Sequence, residues 1–146
     1  MKTILLVEDE PVDVLLMQRI LKRLNISERL EVASDGQNAI DYLAAQGQFT
    51  DRTAHPLPYV VLLDLNLPRR SGFEVLAWMR ATRQFKFLPV VIFTSSREDR
   101  DVNRAYSAGA NAYLVKTPDT AELGRMVEVL HRFWVEYNHT DTSQSN

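Results

Sequence analysis

The chain has no cysteine in its 146 residues, which excludes disulfides and thiolate-bound metals and fits a reducing cytosol. It has no long apolar run either. Ile4-Leu5-Leu6-Val7 is followed at once by Glu8-Asp9-Glu10, whereas a secretory signal needs an apolar stretch of roughly 7–15 residues and a membrane span about 20. Nor is there an excess of one charge. Seventeen basic and 19 acidic residues leave a net charge of −2, so no electrostatic footprint for nucleic acid or an anionic membrane is present. The expectation is a cytoplasmic protein with neither partner. What the chain does have is the make-up of one soluble globular domain, 45% hydrophobic and 25% charged.

Short β-branched or aliphatic runs alternate with segments of helical period. The strand candidates are residues 3–7, 30–34, 59–63, 89–94 and 112–115. All but the second are nearly continuous apolar runs, as in strands buried on both faces of a parallel sheet. Val14, Met17, Leu21 and Leu24 recur at spacings of three and four, giving one apolar helix face from Pro11 to about Asn25. Pro11 suits a first helical position, which needs no N–H. Further helices are expected from Gly36 to about Gln46, Gly72 to about Thr82, and Glu98 to Ala108, the weakest pattern. A last helix carries Leu123, Met126, Val127, Leu130, Phe133, Trp134 and Tyr137 as a broad stripe. Five β–α units in alternation predict a doubly wound α/β fold, an open parallel sheet with helices on both faces. In such sheets functional groups collect at the carboxyl ends of the strands.

Those ends are where the chemistry lies. The first strand delivers Glu8 and Asp9, the third Asp64, the fourth Thr94, and the fifth leads into Lys116. Three carboxylates at one sheet edge repel one another unless a cation lies among them. Oxygen ligands with no His or Cys nearby favour a hard ion, Mg²⁺ or Mn²⁺. A lysine and a hydroxyl beside such a site supply the charge and the donor that a transferred phosphoryl group requires. Singly, each residue has an ordinary reading. Glu8-Asp9-Glu10 could favour the positive end of the following helix, Asp64 could be a turn residue, Thr94 a β-former and Lys116 a solvated charge. Their coincidence at one edge is what speaks for phosphoryl chemistry.

In order, spacing and strand placement, four segments resemble the receiver domain of bacterial two-component response regulators: Val7-Glu8-Asp9-Glu10, Leu63-Asp64-Leu65-Asn66-Leu67-Pro68, Phe93-Thr94-Ser95 and Tyr113-Leu114-Val115-Lys116. The likeness runs from residue 3 to about 137. It implies a flavodoxin-like sheet in the order 2-1-3-4-5 and a receiver domain over 1–139, while the polar composition of 140–146 predicts a disordered tail. By the same resemblance, Asp64 accepts phosphate from a kinase phosphohistidine and Lys116 pairs with it. Asp9 binds Mg²⁺ directly, Glu8 through water, and the backbone carbonyl of Asn66 adds a ligand. Thr94 hydrogen-bonds the phosphoryl group, Tyr113 is the switch aromatic, and Asn66 and Ser96 tune attack by water. The protein would then be no enzyme on external substrates. It would be a switch in protein contacts, or alternatively a relay passing phosphate to a histidine phosphotransfer protein. The long loop at 47–58, Asp64-Leu65-Asn66-Leu67-Pro68 and Phe133-Trp134 further resemble single-domain regulators that partner bacterial phytochromes. A sensor histidine kinase, a bacteriophytochrome among the candidates, is the implied partner.

The chain departs from the common pattern at Thr117, which separates Lys116 from Pro118. A cis bond at Lys116–Thr117 would cost about 2.5–4 kcal/mol, so the geometry there stays open. A two-aspartate phosphohydrolase is discounted because Asn66 cannot act as its acid. A flavodoxin-like cofactor protein is discounted because Glu8-Asp9-Glu10 would repel a phosphate. A receiver fold kept only for docking is opposed by the intact Asp64, Thr94 and Lys116. His55, His131 and His139 are scattered and predict no joint metal site. Leu123, Met126, Leu130 and Phe133 suffice to cover the sheet. Trp134 and Tyr137 extend beyond, either packing on the domain's own edge or forming a partner face. The expectation is a homodimer through helix four, strand five and helix five, with Tyr113, Trp134 and Tyr137 near the contact.

Overall fold

The computed structural model describes residues 2–137. Its strands are β1 (Thr3–Val7), β2 (Arg29–Ala33), β3 (Val60–Leu63), β4 (Val90–Thr94) and β5 (Ala112–Val115). They form one parallel sheet in the order β2-β1-β3-β4-β5. The helices are α1 (Pro11–Arg23), α2 (Gly36–Ala44), α3 (Gly72–Ala81), α4 (Asp99–Ser107) and α5 (Thr120–His131), and α5 runs on as a wider π-helical turn over Arg132–Tyr137. The doubly wound reading therefore holds, with element ends moved by a residue or two. The proposed tail at 140–146 and His139 lie outside the described residues. Among those described, no helix is long and apolar enough to cross a membrane.

Alternation along each strand builds two cores. Leu5, Val7, Val61, Leu63 and Ile92 face α2 and α3, where Ile40, Leu43, Val75, Leu76 and Met79 close over them. Ile4, Leu6, Leu62, Val91 and Phe93 face α1 and α5 against Met17, Ile20, Leu21, Leu123 and Val127. The central strands β1, β3 and β4 are wholly buried, as their apolar runs predict. β5 is only half-buried despite a similar run, because it is an edge strand with a neighbour on one side.

Local chemistry sets the helix starts. Pro11 opens α1. Asp35 caps α2 through Asn38 N (2.7 Å), Ser71 caps α3 through Glu74 N (3.2 Å), and Asp119 accepts from Ala121 N and Glu122 N at the start of α5. Gly72 is required by closeness rather than flexibility, since a Cβ there would lie 2.2 Å from the Asp64 carbonyl oxygen. Gly72→Ala is expected to destabilise the domain by about 1–3 kcal/mol, the usual cost of overpacking. A lowered denaturant midpoint at unchanged slope would show it; an unchanged midpoint would mean that the β3–α3 connection yields freely.

The 47–58 loop lies at the amino end of β3, opposite the strand ends that carry the acidic residues, and is tied down. Phe49 is buried, and His55 stands edge-on to Phe49 (5.1 Å) and Tyr42 (5.8 Å). The Arg52 guanidinium donates to the carbonyls of Tyr42 (2.8 Å), His55 (3.1 Å) and Leu43. His55 is thus a packing residue.

Candidate functional site

Register decides what meets at the carboxyl edge. Val7 is level with Ala33 and Leu63, Leu63 with Ile92, and Thr94 with Val115. The next residues are therefore delivered together: Glu8 N donates to Ala33 O (3.0 Å), Asp64 N to Val7 O (3.1 Å) and Lys116 N to Thr94 O (2.8 Å). Carboxylate oxygens of Glu8, Asp9 and Asp64 all lie within 4.8 Å of one another. This oxygen-only set, with no sulfur or imidazole, suits a hard divalent cation. Asn66 sits in the turn after β3, its backbone N–H donating to Asp64 Oδ1 (3.2 Å).

Lys116 is no solvated surface charge. Its ammonium donates to Glu8 Oε1 (2.7 Å), Asp64 Oδ2 (2.9 Å) and Asp13 Oδ2 (2.9 Å), and its side chain is 16% exposed. Glu8 is 2% exposed and Asp64 6%. Burial, with the neighbouring Asp64 carboxylate, pushes Glu8 up to about 9 although Lys116 pulls it down. Burial also works against ionisation of Asp64, yet hydrogen bonds from Glu8 and Lys116 hold it below the usual carboxylate range. Burial and hydrogen bonding thus favour the proton on Glu8 and the negative charge on Asp64. Burial disfavours the charged Lys116, but its three carboxylates outweigh that and raise it above an ordinary lysine.

Thr94 is fully buried at the end of β4, and its hydroxyl has no hydrogen-bond partner among the described residues. Ser96 lies two residues on. Its hydroxyl donates to Asp101 Oδ2 of α4 (2.6 Å), while its carbonyl accepts from the Tyr113 hydroxyl (3.0 Å). Tyr113 thereby ties β5 to the β4–α4 connection, a link invisible in the sequence pattern. Its own hydroxyl is raised, chiefly by burial.

Among the described residues no peptide is cis, so Lys116–Thr117 is trans. The histidines do not converge: His55 packs in the 47–58 loop, and His131 meets Glu28 at 2.9 Å. The aromatic stripe sorts differently from expectation. Trp134 packs against the core on the α1 and α5 side, whereas Phe133 (50% exposed) and Tyr137 (65%) face outward with Val129. Sequence reading missed Asp13. The available signal was its place in the first turn of the helix that follows the acidic pair, beside the Val14 stripe.

Residues 4–128 match the family model of the response regulator receiver domain. The chain is 39% identical to response regulator Rcp1 of Synechocystis sp. over 135 residues, 92% of this chain and 90% of that protein. The Mn²⁺-bound form of Rcp1 superposes with a TM-score of 0.85 at 38% identity, covering 97% of this chain and 99% of that one. A response regulator in red light signalling of R. palustris, RPA3017, gives 0.92 at 34% identity, with coverage of 97% and 99%. The phosphorylated cyanobacterial phytochrome response regulator RcpA gives 0.87 at 31%, covering 95% and 97%. Sheet order, clustered acids and sequence agree, and this chain belongs to the response regulator receiver domain family.

Proposed function

We propose that Asp64 is the phosphoacceptor of this chain, taking a phosphoryl group from the phosphohistidine of a sensor histidine kinase of the phytochrome type. The observation that carries the reading is the buried Asp64 carboxylate held by Lys116 beside Glu8 and Asp9. Glu8, Asp9, Asp64 and the Asn66 backbone carbonyl would hold Mg²⁺, with Mn²⁺ as a substitute. When bound, the ion would offset the crowded negative charge and that of the incoming phosphoryl oxygens.

The chain's own groups do the rest. An Asp64 oxygen attacks phosphorus, the P–N bond breaks, and the electron pair leaves with the imidazole. Depressed basicity keeps Asp64 ionised and ready. Lys116 places a positive point charge beside Asp64, within reach of a phosphoryl oxygen. The unpartnered Thr94 hydroxyl is a donor already desolvated, so turning it onto a phosphoryl oxygen costs no exchange with water. That turn would change the space against which Tyr113 and Ser96 pack, carrying the change to α4 and β5. Asn66 and Ser96 flank the path of water and would set the lifetime of the acyl phosphate. The phytochrome link is drawn from the likeness to RcpA and RPA3017. The test is Mg²⁺-dependent transfer from such a kinase, or from acetyl phosphate, read as a one-phosphoryl mass increase. A chain that takes no label in Mg²⁺ overturns the reading.

The output we propose is a homodimer through α4, β5 and α5. Its support is the outward-facing Val129, Phe133 and Tyr137, the first two in a groove shared with Ala112 and Leu114 of the edge strand β5. Trp134 is half-buried against the core, so its truncation would also disturb the fold; the exposed Phe133 is the cleaner probe. Phe133→Ala is expected to cost about 2 kcal/mol of association, raising the dimer dissociation constant roughly thirtyfold. Light scattering across concentration, with and without an acyl-phosphate mimic, measures it. A parent monomeric at every concentration in both states would sink the dimer.

A further inference from the structure

We propose that Asp13 is a positioning residue for phosphoryl transfer: its carboxylate competes with the phosphoryl group for the Lys116 ammonium, and so sets what fraction of the chain stays phosphorylated. The inference rests on Asp64 being the acceptor. An ammonium has three N–H groups, and Lys116 gives one each to Glu8, Asp64 and Asp13. None is left over. A phosphoryl group on Asp64 presents further acceptor oxygens, and Lys116 can reach one only by giving up a bond it holds.

Burial decides which bond that is. The Glu8 side chain is 2% exposed, so water cannot take over its hydrogen bond from Lys116. The Asp64 carboxylate is the atom group being modified. Asp13 is 34% exposed on the first turn of α1, so water takes over its hydrogen bond at little cost. Asp13 is also outside the cluster of Glu8, Asp9 and Asp64. Its bond to Lys116 thus belongs to the unphosphorylated chain and weakens once the phosphoryl group arrives, which places Asp13 in opposition to phosphorylation.

The experiment uses the full chain with acetyl phosphate at saturating Mg²⁺, the Mg²⁺ dissociation constant being measured separately by calorimetry for each variant. Asp13→Asn keeps the shape and removes the charge. The ratio of the phosphorylation rate constant to the dephosphorylation rate constant should rise about two- to fivefold, the scale of a partly exposed ion pair. Asp13→Glu should restore at least half of the change. In Mg²⁺-free buffer without phosphodonor, the ¹⁵N–¹H signal of the Lys116 ammonium should shift in Asp13→Asn and exchange faster with water. An unchanged ratio, in a parent that takes label, overturns the proposal alone. So does a changed ratio with an unchanged Lys116 signal, because Asp13 would then act through the metal site. A parent that takes no label overturns the acceptor assignment as well.

Discussion

Asp64→Asn is expected to reduce phosphoryl incorporation to background while leaving the domain folded. The amide keeps the shape of the carboxylate but has no anionic oxygen to attack phosphorus, so the loss is complete rather than graded. Folding survives because Lys116 keeps two of its three partners, Glu8 and Asp13, and the Asp64 backbone keeps its bond to Val7. Breaking a buried pair outright typically costs 3–5 kcal/mol, and the remaining carboxylates hold the cost below that. Phosphate retention measured by mass, with circular dichroism as the control for folding, separates the two effects. Residual label in Asp64→Asn would move the acceptor to a neighbour, and Asp9 is nearest in kind. Asp9→Ala serves as the companion, since it should remove the Mg²⁺ dependence together with the label.

Mg²⁺ affinity is expected to rise about tenfold per pH unit between roughly pH 6 and 8, with one proton released on binding. The cause is Glu8, whose burial beside Asp64 pushes it from 4.5 to about 9. A cation that needs this carboxylate charged must first displace its proton, and that becomes easier as pH rises. The sign for folding without metal is the reverse. Glu8 is raised in the folded chain, so its contribution to stability is fully present below about 4.5 and is lost as pH climbs through about 9. Chelator-treated protein should therefore lose stability across the range in which its metal affinity improves. Calorimetry in two buffers of different ionisation enthalpy counts the proton. A flat affinity from pH 6 to 8, with no buffer dependence, would show that Glu8 is already charged and that Lys116 alone neutralises it.

Much of this was legible along the chain, for identifiable reasons. Continuous apolar runs mark strands buried on both faces and a 3.6-residue period marks a helix with one buried face, so the five strands and five helices could be placed to within a few residues. A parallel α/β sheet puts its chemistry at strand ends, so Glu8, Asp9, Asp64, Thr94 and Lys116 could be picked by position. The resemblance then supplied Asn66, Ser96 and Tyr113, which would otherwise read as turn and sheet residues. Three things needed the packed molecule. Periodicity gives a helix face only to within a residue or so, and the rotation fixed by packing leaves Trp134 half-buried against the core and Phe133 exposed. Buriedness also depends on neighbours the pattern does not name, so β5, at the sheet edge, is half-exposed where its composition reads as core. Above all, an ion pair between side chains 103 positions apart leaves no local trace. Asp13 meets Lys116 because the packing of α1 against the sheet brings its first turn beside the strand ends, and only the assembled core fixes that distance.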